Sequence, residues 1–373
     1  KRPKLRFPGF DEPWKETTLS ALFSKSTQKN ADGHITNVIC NSAKLGLIPQ
    51  REYFDKDIAN SDNTSGYYII RQNDFVYNPR KSSDAPYGPI SSYKYAEDGI
   101  VSPLYLCFHA KDEINPLYYE WYFRSSAWHR YIYMSGDSGA RHDRVSIKDE
   151  TFFAMPINLP SKQEQSKIAS FLQSLDDRIA AQEKLMASLK KYKRGLLSNA
   201  FRNASSWRKK RLGEICCIRT GKLDANAMVN DGKYPFFTCA RERYSIDTYA
   251  FDTDALLISG NGANVGYIHH YTGKFNAYQR TYVLDQFQED INYVHVFLNR
   301  FLSSRIDAEK KAGNTPYIVL STLSDMEIYI PDETTTKQLV DLFTQIENRI
   351  SYSATVLEYL SSQRRGLLQQ LFI

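Results

Sequence analysis

The chain has 373 residues, of which 42% are hydrophobic and 24% charged, and its formal net charge is +6. That much apolar sequence can build folded cores, which excludes a wholly disordered or fibrous protein, and the length favours two or three domains. The mild basic excess permits a nucleic-acid partner without requiring one.

Membrane and secreted classes have no support in the sequence. No run approaches the roughly 18 apolar residues that a membrane helix needs, and residues 1–14 contain no apolar signal core. Five cysteines without a CxxC spacing indicate neither a disulfide framework nor a structural metal site. We therefore expect no membrane contact and a cytoplasmic location.

The first variable block, Trp14 to Leu159, alternates short β-prone runs with turn signals. Strands are predicted at 67–70, 74–77 and 104–108, followed by an aromatic helical stretch over 117–133. This pattern is typical of an α+β domain with a small, curved, mostly antiparallel sheet.

A long helix is predicted from Ser161 to Phe201. Its seam residues recur at alternating spacings of four and three, a heptad pattern interrupted at Gln182 and Lys193. A proline precedes the helix, and Ser161 with Glu164 has the spacing of a capping box. At about 1.5 Å per residue, such a helix is a rod of roughly 60 Å. The predicted seam is Ile168, Leu172, Leu175, Ile179, Gln182, Met186, Leu189, Lys193 and Leu196.

The second variable block has the same character as the first. Strands are predicted at 249–251, 255–259 and 282–284, with an aromatic helical stretch over 293–302. A weak repeat at a constant offset of 193 aligns Trp14 with Trp207 and therefore relates the beginnings of the two blocks.

A second long helix, Asp332 to Phe372, repeats the first without a gap, and Asp332 corresponds to Ser161 at an offset of 171. Its capping box is weaker because residues 332–336 lack the Glu-Gln pair of the first copy. The chain is therefore a tandem duplication of a variable block and a long helix. The second seam is Leu339, Phe343, Ile346, Ile350, Ser353, Leu357, Leu360, Arg364 and Leu367.

Each rod has an apolar stripe that must pack against another helix. An antiparallel pair places one domain at each end, whereas a parallel pair would bring both domains to the same end, where they would clash. Gln182 and Ser353 either fix the register of the pair or lie in a solvated part of the seam. The predicted fold class is α+β: two tandem α/β domains separated by two long helices that form an antiparallel coiled coil, with a pseudo-twofold internal repeat. The predicted domains are residues 1–159 and 204–330, and the predicted spacer helices are residues 160–203 and 331–373.

Polar loops at corresponding places in both blocks interleave cations, amides and aromatic rings. Arg can pair with guanine and Asn or Gln with adenine, while Lys and Tyr contact phosphates. Ordinary solvated loops have a similar composition, and the duplication is what favours DNA binding. The candidate DNA-binding residues are Asn78, Arg80, Lys81, Arg141, His142, Arg144, Asn261, Asn264, Tyr278, Gln279, Arg280, Lys311 and Asn314.

Catalytic motifs are weak. The segment 260–266 has a GxGxxxG spacing, which is not the dinucleotide motif, and we predict a tight turn between strands there. The adjacent His269 and His270 point in different directions on a strand or helix, which favours a surface or core role over a metal site. Asp285 with the acidic-basic run at 309–311 matches a nuclease pattern only through a spacing that is common by chance. We expect no enzyme activity, no bound cofactor and no metal.

The duplication of a variable domain with a long helix of the same pattern resembles the specificity subunit (HsdS) of type I restriction–modification systems. The likeness is carried by the opening segment 3–14, the helix leader 157–165 and the closing segment 193–201. The second copy departs from the leader pattern at 332–336.

The resemblance implies two target recognition domains that each read one half of a gapped duplex DNA site, with the helices setting the gap. It also implies a non-catalytic chain that recruits two adenine-N6 methyltransferase subunits and, in the full complex, restriction/translocase subunits. S-adenosylmethionine, Mg²⁺ and ATP are then expected on those partners and not on this chain.

Two other classes of protein compete with this interpretation. A structural coiled-coil scaffold would explain the duplicated helices but not the duplicated basic loops. A stand-alone restriction enzyme would need a catalytic motif, and none is recognisable in the sequence.

Overall fold

The computed structural model describes residues 1–53, 64–136, 143–309 and 317–373. Its two longest helices are α6 (Lys162–Ala200) and α10 (Glu333–Leu371). The chain divides into two compact units, of which unit 1 is Lys1–Gln182 with Val356–Ile373 and unit 2 is Glu183–Thr355. Each long helix therefore contributes one part to each unit. Among the described residues, no helix is long and apolar enough to cross a membrane.

Unit 1 contains a small antiparallel sheet with short ribbons and helices around it. Its strands are β1 (Lys15–Thr18), β2 (Phe23–Lys25), β3 (Ile39–Ser42), β4 (Gly46–Pro49), β5 (Tyr68–Ile70), β6 (Phe75–Tyr77), β7 (Ile90–Ser92), β8 (Gly99–Val101), β9 (Leu106–Ala110) and β10 (Pro156–Leu159). Its shorter helices are α1 (Leu19–Leu22), α2 (Gln50–Tyr53), α3 (Pro116–Arg124), α4 (His129–Ser135) and α5 (Asp149–Phe153). The sheet order is β2-β9-β6-β7, and the ribbons are β3-β4, β5-β8 and β1-β10.

Aromatic side chains form the main core of unit 1. Phe75 of β6 stacks on Phe108 of β9 with the ring centroids 5.6 Å apart, and Phe23 of β2 meets both rings edge-on. Trp121 of α3 and the nearby Trp128 belong to the same cluster and are each 1% exposed. Such ring pairs each add about 0.5–1.5 kcal/mol beyond their buried area, so the cluster fixes the helices to the sheet.

Two elements of unit 1 differ from the sequence prediction. The aromatic stretch 117–133 is two helices, because Ser125 adopts an extended backbone after α3 and its hydroxyl donates to the carbonyl of Tyr122 at 2.6 Å. The strand predicted at 104–108 begins only at Leu106, because the amide of Tyr105 closes a turn on the carbonyl of Ser102 at 3.0 Å.

Unit 2 is built around a larger sheet. Its strands are β11 (Arg208–Arg211), β12 (Cys217–Thr220), β13 (Tyr234–Phe237), β14 (Tyr244–Ile246), β15 (Phe251–Ser259), β16 (Ile268–Ala277), β17 (Thr281–Asp285) and β18 (Glu327–Ile330). Its shorter helices are α7 (Leu212–Ile215), α8 (Ile291–Glu309) and α9 (Leu320–Ser324). The sheet order is β12-β17-β15-β16-β13-β14, in which only the β13–β16 contact is parallel, and β11 pairs with β18.

The strands predicted at 249–251 and 255–259 are one strand, β15, which begins at Phe251. Its intervening residues pair continuously with β16, with Asp252 opposite Lys274 and Thr253 opposite Gly273. The polar residues that suggested a break therefore alternate along a paired strand, since successive side chains of a strand point to opposite faces.

The structure extends the repeat beyond the long helices. An offset of 171 relates β10 to β18, α5 to α9 and α6 to α10, and an offset of 193 relates β1 to β11 and α1 to α7. Even the strand registers correspond, because Lys15 pairs with Leu159 in unit 1 and Arg208 pairs with Ile330 in unit 2. The predicted duplication of a domain and a helix is confirmed at the level of individual hydrogen-bonded pairs.

Helices α6 and α10 pack antiparallel, which confirms the predicted fold class and rules out the parallel alternative. Every residue of the predicted seams is buried or half-buried. In α6 the most deeply buried are Ile168 and Leu172, and in α10 Ser353 is only 2% exposed. The heptad pattern therefore identifies the buried face of both helices correctly.

The cations that interrupt the seams, Lys193 and Arg364, form ion pairs between the helices. In unit 1 Arg364 pairs with Asp176 of α6, and in unit 2 Lys193 pairs with Glu347 of α10 at 2.5 Å. The offset of 171 converts Asp176 into Glu347 and Lys193 into Arg364, so the two ion pairs are equivalent members of the repeat. Each cationic interruption is thus matched by an acid on the opposite helix.

We expect both ion pairs to show measurable and similar coupling. In double-mutant cycles with Lys193→Met and Glu347→Gln, and with Arg364→Met and Asp176→Asn, the expected coupling free energy is about 0.5–1 kcal/mol per pair. Denaturant unfolding of the four single and two double variants measures it. A coupling of zero in both cycles would show that the seam interruptions do not stabilise the helix pair.

The caps of the two long helices differ from prediction. Ser161 accepts the amide of Glu164 at 3.3 Å, but the Glu164 carboxylate is taken by a bidentate pair with Arg6, at 2.8 Å for each bond, so only half of the predicted box forms. At α10 the carboxylate of Asp332 accepts both the amide and the hydroxyl of Thr335 at 2.9 Å. Asp332 therefore caps one backbone amide, as Ser161 does, and the bond to the threonine hydroxyl joins two side chains without completing a capping box.

Candidate nucleic-acid interface

In unit 1 the chain brings two of the predicted loops together. The loop after β6 runs beside residues 143–145, where the amide of Lys81 donates to the carbonyl of Asp143 at 2.8 Å and the amide of Val145 donates to the carbonyl of Pro79 at 2.9 Å. An isolated backbone bridge joins Arg80 to Arg144. Residues separated by more than 60 positions in the sequence thus form one surface.

These loops line a groove of about 830 Å³. Four cations and one carboxylate line it. The carboxylate, Asp84, lies 3.7 Å from the ammonium of Lys44, and no described carboxylate forms an ion pair with Arg80 or Lys81. Arg144 lies 3.9 Å from the Asp143 carboxylate, and this carboxylate is exposed, so the pair is weak. Excess positive charge around a groove is what a phosphate backbone requires. The four cations are Lys44, Arg80, Lys81 and Arg144.

Asn78, a predicted DNA-binding residue, uses its amide inside unit 1. Its Nδ2 donates to the carbonyl of Asn41 at 3.3 Å, and its Oδ1 accepts the amide of Arg80 at 3.1 Å. In this arrangement Asn78 holds the cationic loop against β3 and does not present both amide atoms to a ligand.

In unit 2 four loops meet at one edge of the sheet: 221–224 after β12, 238–243 after β13, 260–266 between β15 and β16, and 278–280 between β16 and β17. The amide of Gly260 donates to the carbonyl of Arg280 at 2.9 Å, and the amide of Gln279 donates to the carbonyl of Leu223 at 2.9 Å. The structure therefore brings together the predicted residues Asn261, Asn264, Tyr278, Gln279 and Arg280.

The segment 260–266 is the turn between β15 and β16, as predicted. A Cβ atom at Gly260 would lie 2.4 Å from the carbonyl oxygen of Arg280, and Gly262 has a φ of +79°, a region that favours glycine. The glycines are thus explained by a close backbone approach and a tight turn, and they do not require a bound nucleotide.

The side chains at this edge are not equally available. Asn264 has both amide atoms engaged, since its Oδ1 accepts from Arg241 at 3.2 Å and its Nδ2 donates to the carbonyl of Cys239 at 3.2 Å. Gln279 is exposed and donates to the carboxylate of Asp224 at 2.6 Å. Arg280 is also exposed, and its guanidinium forms no ion pair with a described carboxylate. Gln279 and Arg280 are therefore the best placed to meet a ligand.

Sequence reasoning missed the arginines at 241 and 243. Arg241 lies over the ring of Tyr267 at 5.4 Å, and Arg243 lies over the ring of Tyr271 at 5.9 Å. The signal for these contacts was the alternation of rings at 267, 269 and 271, where β16 begins, because residues two apart share a face of a strand. Guanidinium groups stacked on tyrosine rings widen the basic edge of unit 2.

Four of the predicted DNA-binding residues lie outside the described residues: Arg141, His142, Lys311 and Asn314. The carboxylates of the rejected nuclease pattern have partners, since Asp285 pairs with Arg219 and Glu309 pairs with Arg305 at 2.8 Å. Within the described ranges, no group of three or more His, Cys, Asp or Glu side chains is arranged to hold a metal ion.

The adjacent histidines face different neighbours, as predicted. The Nε2 of His269 contacts the carbonyl of Ala240 at 3.1 Å, whereas the Nε2 of His270 contacts the carboxylate of Asp254 at 2.8 Å. On the His270 side, the ring of His295 from α8 lies with its centroid 6.0 Å away.

Burial lowers the pKa of His295 to about 4, and the positive charges of His270 and Lys193 lower it further. The unfolded chain takes up this proton near pH 6.5, so the contribution of the neutral His295 to the stability of unit 2 is intact above that pH and is lost as the pH falls towards 4.

At pH 5 we expect the loss to be about 2 kcal/mol. Thermal unfolding of wild type and His295→Gln at pH 7.5 and 5.0 measures this, and the variant should lose less stability on acidification. His34→Gln, at an exposed histidine, is the control, and an unchanged pH dependence in His295→Gln would contradict the prediction.

Two α+β domains from a tandem duplication, each with a cluster of polar and cationic loops and each joined to a long antiparallel helix, define a class of modular recognition proteins. Comparison with known families identifies which one. The sequence model described as "Type I restriction modification DNA specificity domain" matches residues 16–191 and 204–360. The chain therefore belongs to the family of type I restriction–modification specificity subunits, which confirms the predicted resemblance. This family is non-catalytic, as expected for a chain that is not an enzyme.

Two curated relatives agree with this assignment. The EcoDI specificity subunit of Escherichia coli is 37% identical over 166 residues, which is 43% of this chain and 37% of that subunit's length. The MjaIX specificity subunit of Methanocaldococcus jannaschii is 24% identical over a match that covers 97% of this chain and 86% of the relative.

Solved structures share the fold. The S subunit of a type I restriction–modification system from M. genitalium has a TM-score of 0.63 at 17% identity, covering 100% of this chain and 99% of that one. A chain from a study of complex assembly and conformational transition of the type I system has a TM-score of 0.60 at 16% identity, covering 97% and 98%. At these identities the likeness concerns the fold alone.

Proposed function

We propose that this DNA specificity subunit reads a bipartite duplex site, with one half-site for each domain and a gap of unspecified bases between them. The observation that carries the proposal is the duplication: each unit holds one cluster of polar and cationic loops on an α+β domain attached to the helix pair. Two readers at a fixed separation require bases at both ends of a site and tolerate any base between them. In this proposal the readers are residues 1–159 and 204–330, and the spacers are 160–203 and 331–373.

The expected division of labour follows from side-chain chemistry. Lysine and arginine around the unit 1 groove supply phosphate affinity, and Gln279 with Arg280 in unit 2 can pair with base edges. Arg144 and Tyr278 contribute phosphate contacts and Asn261 a further DNA contact, while the amides of Asn78 and Asn264 hold the loops in place. The partly buried Asn amides are thus supports for the cations that meet DNA.

We further propose that the helix pair docks two adenine-N6 methyltransferase subunits and that the full complex adds restriction/translocase subunits in the cytoplasm. The exposed aromatic residues of the helices support this, because Tyr192, Tyr352 and Tyr359 are 58%, 73% and 62% exposed. S-adenosylmethionine, Mg²⁺ and ATP belong to those partners in this proposal.

Methylome sequencing tests the proposal directly. A host carrying the cognate methyltransferase is compared with and without this chain, using a method that detects N6-methyladenine. A new bipartite motif with a fixed gap is the expected result and would reveal both half-sites. Absence of any new motif, in cells where the complex demonstrably assembles, would refute the specificity role and favour the scaffold alternative.

Salt dependence separates the same two alternatives in vitro. For a subunit that binds through phosphate contacts, the logarithm of the duplex binding constant falls linearly with the logarithm of the salt concentration. The slope is near −0.9 for each neutralised phosphate. A protein-only scaffold would show no such binding.

A further inference from the structure

A β-hairpin of unit 1 that sequence reasoning did not single out stands beside the cationic groove. Within the described ranges, strands β3 and β4 pair only with each other, with Ser42 opposite Gly46, which leaves a three-residue tip. Two side chains of this tip project strongly: the leucine at position 45 is 63% exposed and the lysine at position 44 has 75% of its side chain exposed. Because both side chains are exposed, neither contributes to the packing of the unit 1 core.

Local hydrogen bonds shape the tip. The hydroxyl of Ser42 accepts the amides of Lys44 and Leu45 at 3.4 and 3.3 Å, and Gly46 has a φ of +71°, as the αL position of a three-residue hairpin loop requires. A rigid loop loses little conformational entropy when it binds a ligand.

The base of the hairpin is fixed by the buried Asn41. Its Nδ2 donates to the carbonyls of Val76 at 2.8 Å and Pro89 at 3.2 Å, and its Oδ1 accepts the hydroxyl of Ser91 at 2.8 Å. Its backbone carbonyl accepts from Asn78, the residue that also holds the amide of Arg80. The hairpin and the cationic loop are therefore positioned by one hydrogen-bond network.

The tip also lines the groove that the cations surround. Lys44 and Leu45 line the same groove as Arg80, Lys81 and Arg144, and the groove has a volume of about 830 Å³. A groove with this charge selects a polyanion, and a two-stranded ribbon has the width that the major groove of duplex DNA admits.

We propose that the β3–β4 hairpin enters the major groove of duplex DNA and that Leu45 reads the 5-methyl group of a thymine in the half-site of unit 1. Lys44 and the cations of the opposite loop contact the flanking phosphates. The thymine methyl is the one apolar group on base edges in the major groove, so it is the partner that an exposed leucine at the tip can recognise. The inference rests on the proposed function and adds to it the reading element and the chemical group that is read.

The test removes the same contact once from the protein and once from the DNA. The complex of this chain with its methyltransferase subunits selects duplexes from a randomised pool made with thymine and from a second pool made with deoxyuridine in its place. Wild type should prefer thymine at one position of the unit 1 half-site by roughly fourfold, the value expected for one buried methyl group. This preference should be absent from the deoxyuridine pool. Leu45→Ala should lose it in the thymine pool and should match wild type in the deoxyuridine pool, with the unit 2 half-site unchanged.

Matched variants guard against a folding effect. Leu45→Met keeps an apolar side chain and should retain the preference for thymine. Leu104, which lines the same groove and is 60% exposed, lies outside the hairpin, so Leu104→Ala should also retain it.

The outcomes separate this inference from the proposed function. A bipartite motif that is identical for wild type and Leu45→Ala overturns the inference and leaves the proposed function standing. A uniform loss of affinity in Leu45→Ala that does not depend on the methyl group also overturns it, because that result indicates an apolar wedge between base pairs. Failure of wild type to enrich any motif from either pool overturns both.

Discussion

Replacing Gln279 and Arg280 by alanine should abolish or relax recognition of one half-site only, the one read by unit 2. A bidentate contact from Arg or Gln to a base edge is worth about 1–3 kcal/mol of discrimination, so the expected loss at the affected bases is roughly 5- to 150-fold. Both side chains are exposed at the meeting point of the unit 2 loops. Methylome sequencing of cells carrying the double variant measures the result, because relaxed bases appear as degenerate positions in the motif.

The matched control is Arg80→Ala with Lys81→Ala in unit 1, which should lower duplex affinity and its salt dependence without relaxing any base of the unit 2 half-site. Asn264→Ala provides a second comparison, since its amide is engaged by Arg241 and Cys239 and it should act by loosening the loop. Loss confined to the unit 1 half-site in the Gln279 and Arg280 variant would refute the assignment of readers to domains.

Truncating Phe201 to alanine should destabilise unit 2 by about 3–5 kcal/mol, the usual cost of removing a buried aromatic ring. Its side chain is 6% exposed and meets the rings of Trp207, Tyr293, Phe297 and Phe301 at centroid distances of 5.3–6.4 Å. The end of the first long helix is thereby buried in the core of the following domain. Denaturant unfolding followed by circular dichroism and tryptophan fluorescence measures the loss.

Phe372 occupies the equivalent position in unit 1 and is 4% exposed, with ring centroids 5.7 Å from Tyr118 and 6.1 Å from Tyr122. Phe372→Ala should therefore destabilise unit 1 by a similar amount. Tyr352→Ala, on an exposed face of the second helix, should change stability by less than about 0.5 kcal/mol. Equal effects of Phe201→Ala and Tyr352→Ala would show that the helix end does not anchor the domain.

The architecture could be predicted from the sequence because it rests on periodicity. A heptad seam depends on residue type and spacing along one helix, and both can be read directly from the amino-acid sequence. The duplication added a second sample of the same pattern, so positions such as Lys193 and Arg364 could be recognised as equivalent before their ion-pair partners were known. The partners themselves, Asp176 and Glu347, required the pairing register.

The individual DNA-contacting side chains were harder to predict, because their exposure and hydrogen bonding decide whether they are available to a ligand. Asn264 and Gln279 look alike as loop amides, yet of the two only the Gln279 oxygen accepts no hydrogen bond from a described residue. The tip of the β3–β4 hairpin was missed because one leucine and one lysine between short strands carry no motif. Arg241 became a candidate only when the fold placed it over Tyr267.

The equivalence of the two helix-to-helix ion pairs has a consequence for how such chains can diverge. A charge lost at position 176 is harmful unless position 364 changes with it, and the same dependence links 193 to 347, whereas the exposed loop side chains can change one at a time. Aligned relatives should therefore show correlated substitutions at these two pairs of positions and independent variation at Leu45, Gln279 and Arg280. New DNA targets can then arise in the loops while the helix pair preserves its register.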